Sequence, residues 1–254
     1  MRAAVLLYGS ICYVLFLGTF LYAIGFTTNF LVPKGIDAGE AGEVMSSVII
    51  NVLLLSVLEM PDSVMARPAF KAWFTTIIPA AAERSTFVLL TNFALCLMYW
   101  QWRPLTENVW DVSGTPALAY GIWGVCAFGW FVVLYSTFLI NHFDLFGLRQ
   151  VVLFFQGKDY SDAPFVQPWL YGIIRNPLML GFIIAFWSTP TMSQGHLLFA
   201  LVTTGYIFFG ITVEERDLKD ALGDDYINYR ARTPMLIPFL KFGDSSRGDA
   251  ETQD

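Results

Sequence analysis

Charge is what this sequence has least of. Only 14% of its 254 residues are Asp, Glu, Lys or Arg, where a soluble domain of this size carries roughly a quarter. The few charges are also segregated, so long stretches contain none. That excludes a soluble globule solvated along every element. A basic face is missing as well: the net charge is −6, and much of the acid lies in loops and in the tail after Asp244. Nucleic-acid binding requires clustered Lys and Arg, so no nucleic-acid partner is expected. Histidine is scarce. His142 and His196 sit near loop edges without metal-ligand spacing and read as interfacial residues. The three cysteines, Cys12, Cys96 and Cys126, each lie inside an apolar stretch with no pairing pattern. They read as core or lipid-facing residues, and no metal site is expected. No cleavable leader is expected either: the first apolar stretch runs past Gly18 to Phe26 without a clear small-residue cleavage pattern.

What is present is hydrophobicity, at 56% of positions. A bilayer core takes about 20 apolar residues per helix, and several segments approach that length. Spans are expected at about Ala3 to Phe26, Val44 to Leu58, Thr86 to Trp102 and Pro116 to Ile140. A polar stretch from Glu59 to Arg84 separates the second from the third. The connection Asn141 to Arg175 carries an amphipathic piece, with Leu148, Val151, Val152, Phe154 and Phe155, suited to the membrane interface. Pro177 to Thr189 and Met192 to Val213 are apolar around a break at Pro190. They read as a helical hairpin with its halves packed on each other. Asp217 to Arg230 has helical character, and Pro234 and Pro238 end it. The expectation is an all-α integral membrane protein with about six transmembrane crossings, including this C-terminal hairpin. Residues 1–243 are expected to form a single bundle, with N-terminal spans in 1–140 and a second half in 141–243; residues 244–254 read as a disordered tail.

Lys and Arg alternate between loops. Arg67, Lys71 and Arg84 follow the second span, Arg149, Lys158 and Arg175 the fourth, and Arg216, Lys219, Arg230, Arg232 and Lys241 the hairpin. The intervening loops hold few. By the positive-inside rule both termini are expected in the cytoplasm.

Charges beside apolar segments are costly unless paired or functional, and they fall in three clusters. The first is Glu59-Met-Pro-Asp62-Ser63-Val-Met-Ala-Arg67-Pro68. The second is Tyr171-Gly-Ile-Ile-Arg175-Asn176-Pro177-Leu-Met-Leu-Gly181. The third is Glu214-Glu215-Arg216-Asp217-Leu218, followed by Gly223-Asp-Asp-Tyr226 and Tyr229-Arg230. All three fall on the cytoplasmic side, where a soluble cofactor and a membrane-partitioned substrate can meet. Each also has an ordinary reading. Asp62 after Pro61 fits a helix N-cap, Arg175 a snorkelling cation before a helix-opening Pro, and Glu214-Glu215 the wet end of a span.

The combination Tyr-x3-Arg-x-Pro-x3-Gly, then Glu-Glu-x2-Leu, Gly-Asp-Asp-Tyr, Tyr-Arg and Pro-x3-Pro resembles the C-terminal pattern of the isoprenylcysteine carboxyl methyltransferase and phospholipid methyltransferase superfamily. Within it, most of the chain is similar to the bacterial methanethiol S-methyltransferases. The residues that carry this are Ser63-Val-Met-Ala-Arg-Pro-Ala-Phe-Lys71, Glu83-Arg-Ser-Thr86, Gln101-Trp-Arg-Pro104, His142-Phe-Asp-Leu-Phe-Gly-Leu-Arg-Gln150, Thr189-Pro-Thr-Met192 with Gly195-His-Leu-Leu-Phe-Ala200, and Glu214-Glu-Arg-Asp-Leu218. Asn176 stands where the family usually has His, Met179 where it has Tyr, and Pro61-Asp62 where relatives carry Gln-His. Asn keeps a donor and an acceptor but takes up no proton near neutral pH.

The resemblance implies a cytoplasmic site for S-adenosyl-L-methionine and methyl transfer to a small thiol, methanethiol becoming dimethyl sulfide. Other outcomes on the same scaffold are a different lipophilic acceptor, or a non-catalytic or haem-binding membrane protein. The family pattern maps cofactor binding onto Gln156, Ala163, Pro164, Phe165, Val166, Tyr171, Arg175, Asn176, Pro177, Leu178, Met179, Gly181 and Glu214. The sulfonium methyl arrives activated, so the protein must align the reactants and favour the thiolate. Asp62 as base, with Arg67 or Arg84 stabilising the thiolate, are the catalytic candidates.

Overall fold

A computed structural model describes residues 1–65, 68–161 and 168–238, without the side chains of residues 60–64, 68 and 69. The chain opens with α1 (Arg2–Thr28), a helix that stops where Asn29 turns left-handed at φ 55°, a conformation Asn tolerates better than most residues. After a loop come α2 (Val44–Met65), the short α3 (Pro68–Phe74) and α4 (Ala80–Gln101). A strand β1 (Asn108–Asp111) leads to α5 (Pro116–Ile140), with Pro116 at the first helical position, where its missing N–H costs nothing. Then follow α6 (His142–Leu145), α7 (Leu148–Gln156), α8 (Trp169–Ile173) and α9 (Pro177–Trp187). The chain finishes with β2 (Thr191–Ser193), α10 (Gln194–Leu222) and α11 (Asp224–Arg232).

Helices α1, α5 and α10 are 27, 25 and 29 residues long, with mean hydropathy of 1.8–2.0 over their best windows. At 1.5 Å rise per residue each exceeds the roughly 30 Å hydrocarbon core. Their outer faces carry large apolar side chains such as Leu21, Phe131 and Phe209, a surface stable against lipid and not against water. This is an all-α, multi-pass membrane protein.

Inside the bundle, Phe26, Leu55, Met98, Trp102, Trp130, Phe186 and Phe199 form the central core. The tightest helix contact is α5 on α9. A Cβ added at Gly129 would lie 2.6 Å from the Ala185 nitrogen, and one at Gly181 would lie 2.8 Å from the Val133 nitrogen. Only glycine lets these backbones meet. Helix α9 packs on α10, the contact the sequence suggested for the two halves of the hairpin, and more extensively on α5, which the sequence did not suggest.

Other boundaries also differ from expectation. Helix α4 begins at Ala80, so Glu83 and Arg84 lie within it rather than before it. Helix α2 continues through Asp62 to Met65, which removes the N-cap reading of Asp62. Helix α10 runs beyond Glu214 to Leu222, and Gly223 at φ 57° breaks it from α11. The strand pair was not anticipated: β1 and β2 run antiparallel, with Trp110 opposite Met192 and Asp111 opposite Thr191. Both histidines are buried rather than interfacial. His142 sits between Tyr13 (2.8 Å) and Thr137 (2.7 Å), and His196 Nε2 donates to the Phe186 carbonyl at 2.8 Å. Cys12 and Cys126 are buried and Cys96 is exposed, in line with core and lipid-facing readings.

Two ends of the bundle follow from these contacts. At the strand end lie the β pair, the end of α1 and the start of α10, joined by the Trp102 indole donating to the Ile36 carbonyl at 3.0 Å. At the cleft end lie the starts of α1 and α4 with α6 to α8 and α11. There Gly147, at φ 82°, lets the backbone approach Ser85, to whose nitrogen a Cβ would be 2.7 Å.

Candidate functional site

Arg175, between α8 and α9, organises the cleft end. Its Nε donates to Glu215 Oε1 at 2.7 Å, and its Nη1 donates to the carbonyls of Arg230 (2.9 Å) and Thr233 (2.7 Å). The Arg175 and Glu215 side chains are 8% and 10% exposed. A buried charge pair is tolerable only when well hydrogen-bonded, and this one is. Glu215 Oε2 also faces Arg230 Nε at 3.5 Å. The backbone adds to the clamp: the amides of Arg175 and Asn176 donate to the carbonyls of Pro234 (2.9 Å) and Met235 (3.1 Å). Asn176 Nδ2 donates to Met235 as well, at 3.3 Å. Thus α11 and the residues after it are bound onto the start of α9.

The clamp positions Tyr171. The Tyr229 hydroxyl donates to the Tyr171 carbonyl at 2.6 Å, and burial pushes the Tyr229 phenol up to about 12. The Tyr171 side chain is part-buried. Its own hydroxyl is buried without a hydrogen-bond partner among the described residues. Burial, and then the nearby Glu214 carboxylate, raise its pKa. Successive helical residues point about 100° apart, which explains the Glu-Glu pair: Glu215 turns inward to Arg175, and Glu214 is exposed near Tyr171.

Around this junction the structure gathers Tyr171, Arg175, Asn176, Pro177, Leu178, Met179 and Glu214. Pro177 is fully buried at the first position of α9, with Leu178 and Met179 half-buried after it. Gly181 belongs to the same helix but meets the backbone of α5. Gln156 is exposed at the end of α7. Ala163, Pro164, Phe165, Val166 and Arg67 lie outside the described residues, as does the side chain of Asp62.

Arg84 occupies a different place. Its Nε donates to the Leu145 carbonyl at 2.7 Å, and its guanidinium lies 4.9 Å from the centre of the Phe87 ring. It lines a cleft of about 590 Å³ between α3, α4, α6 and α7, together with Lys71, Asp144, Gln150, Lys158 and Tyr160. Sequence reasoning missed the Glu215–Arg230 side of the clamp and this second cleft. The signals present were the Tyr229-Arg230 pair and the polar positions of the 142–150 motif.

No family model matches the chain, and no solved structure matches it. Characterised relatives do. Methanethiol S-methyltransferase 2 of Bradyrhizobium diazoefficiens is 48% identical over 239 residues, covering 94% of this chain and 92% of that protein. Methanethiol S-methyltransferase of Mycobacterium tuberculosis is 48% identical over 238 residues, covering 94% and 97%. That of Crocosphaera subtropica is 46% identical over 239 residues, covering 94% and 93%. Identity at that level along almost the whole length shows that the chain belongs to the methanethiol S-methyltransferase family.

Proposed function

We propose that this protein is an S-adenosylmethionine-dependent thiol S-methyltransferase that converts methanethiol to dimethyl sulfide. The observation that carries the reading is the near full-length identity to methanethiol S-methyltransferases. When bound, S-adenosylmethionine supplies a methyl group already activated on a sulfonium centre. The Tyr171 hydroxyl, buried and unpartnered beside Glu214, fits a ligand that brings its own polar groups to this spot.

The residues then divide the work. Tyr171, Asn176, Pro177, Leu178, Met179 and Glu214 serve the methyl donor, with Gln156 and the residues Ala163 to Val166 assigned to the same pocket. Arg175 acts by holding α11, and Gly181 by letting α9 seat against α5. Asp62 takes the thiol proton, and Arg67 or Arg84 favours the resulting thiolate, the nucleophile that would take the methyl group while the donor's methyl–sulfur bond breaks and its sulfur leaves as a neutral thioether. Asn176 contributes a hydrogen bond but no proton transfer. The bundle, residues 1–243, crosses a bacterial inner membrane six times, through α1, α2, α4, α5, α9 and α10. Both termini and the cleft end lie in the cytoplasm, a placement supported by the Lys and Arg alternation.

Calorimetric titration of the full-length protein with S-adenosylmethionine tests the donor site. Losing one charge-assisted hydrogen bond in Glu214→Ala weakens binding about tenfold to a hundredfold. Unchanged affinity in a folded variant would remove Glu214 from the site. Dimethyl sulfide release from methanethiol tests the reaction, and Asp62→Asn cuts turnover about a hundredfold while sparing donor affinity. Reporter fusions at Asp254 and within the Gly35 to Glu43 loop give opposite results if the orientation is right.

A further inference from the structure

We propose that the cleft between α3, α4, α6 and α7 is the headgroup slot of a resident membrane lipid, one that pairs a primary ammonium with a phosphate. Its wall is zwitterionic. Lys71, Arg84 and Lys158 supply positive charge, Glu83, Asp144 and Asp159 supply negative charge, and Gln150 adds an acceptor. Two of those acceptors are incomplete. Asp144 Oδ2 faces Arg149 at 3.3 Å and accepts from the Tyr160 hydroxyl at 3.3 Å, yet Oδ1 has no hydrogen-bond partner among the described residues. Gln150 donates through Nε2 to the Asp144 carbonyl at 3.1 Å, and its Oε1 is likewise without one. Both atoms are buried in the wall of a water-reachable cleft. The terminal torsions of Asp and Gln are broad, so small rotations present these oxygens to an incoming donor. Buried acceptors left alone are costly, and a donor-bearing cation beside an anion satisfies the whole wall at once.

The surroundings favour a lipid over a soluble zwitterion. Ile140 lines the cleft, and Trp73, Phe143 and Phe155 stand on the helices α3, α6 and α7 that frame it; all four are exposed, between 43% and 57%. Exposed apolar side chains on the helices beside a charged slot, at one end of a membrane bundle, match acyl chains joined to a polar head. The acceptors also discriminate: a primary ammonium donates three hydrogen bonds, whereas a quaternary ammonium donates none. The site therefore takes phosphoethanolamine lipids over phosphocholine lipids.

Lipid retention by the full-length protein, read by native mass spectrometry from mixed phosphatidylethanolamine and phosphatidylcholine micelles, tests this without reference to turnover. Wild type retains the ethanolamine lipid about tenfold over the choline lipid. Gln150→Leu lowers that preference toward parity, and Lys158→Ala, a change at an exposed rim position, weakens retention of both. Equal retention by wild type overturns the proposal, and so does a preference that survives Gln150→Leu in a folded protein. Displacement of the lipid by millimolar free methionine or phosphoethanolamine would overturn the lipid assignment and leave a soluble ligand in its place.

Discussion

The two ends of the bundle treat their polar groups in opposite ways. At the strand end, hydrogen bonds knit loops into a cap. Lys34 donates to the Trp100 carbonyl at 2.6 Å, and the buried Asn51 exchanges two bonds with Arg103, at 2.7 and 2.9 Å. Asp37 holds Asn29 and Ser193 together. At the cleft end, three buried polar atoms have no hydrogen-bond partner among the described residues: the Tyr171 hydroxyl, Asp144 Oδ1 and Gln150 Oε1. Trp130 Nε1 and Ser136 Oγ in α5, and His196 Nδ1 near the strand end, share that state. Native proteins satisfy nearly all buried polar groups, so each such atom asks for a reason. The strand end is knit loop to loop, whereas the cleft end is held by one charged clamp at Arg175.

That contrast can be broken most directly at the clamp. Glu215→Ala strands Arg175 as a buried charge and costs about 3–5 kcal/mol, read as thermal unfolding in detergent. If the loss is no larger than that of a cap substitution at the strand end, the ion pair is not what holds the cleft end together. Gly129→Ala tests the wall behind the clamp, because the new methyl meets the α9 backbone 2.6 Å away. It costs about 1–3 kcal/mol by overpacking, and Gly121→Ala, where nothing lies within 4 Å, serves as the silent control.

At the strand end the effects are smaller. Ser193 accepts from the His196 amide at 3.0 Å as the N-cap of α10, so Ser193→Ala costs about 1 kcal/mol. The smallest effect is a pH dependence. Burial lowers the pKa of His142 below the ordinary value of 6.5. The fold thus prefers neutral His142, and its contribution is complete above about pH 6.5 and lost as pH falls through that value toward the folded-state pKa. Thermal unfolding between pH 8 and 5 shows this slope, and His142→Gln flattens it.

How much of this was legible in the sequence depended on the range of the forces involved. The bounds of α5, Pro116 and Ile140, were readable because a helix-opening Pro and a polar Asn141 frame an uncharged run. The start of α4 was not, because Glu83 and Arg84 look like the end of a loop. Arg84 enters the helix by reaching Leu145, 61 positions away, and no local pattern reveals that. The β pair escaped notice because its strands are four and three residues long, too short for alternation to register. At the donor site, the motif brought Tyr171 and Glu214 under suspicion together, and the fold sets them close. Which member of Glu214-Glu215 meets Arg175 depended on the rotational setting of α10, a tertiary fact. The second cleft had no sequence signal beyond a run of polar positions in the 142–150 motif.

The clamp also has a consequence for how the protein is made. Arg175 finds its carboxylate 40 residues later in the chain, and the carbonyls that complete its shell 55 and 58 residues later. During synthesis from the N-terminus, α9 emerges before any of these partners exists. The guanidinium must therefore wait in water at the membrane surface until α10 and α11 have been made. Final docking of α8 and the start of α9 is then among the last events of assembly, and a chain stalled before residue 233 would hold its helices without the completed clamp.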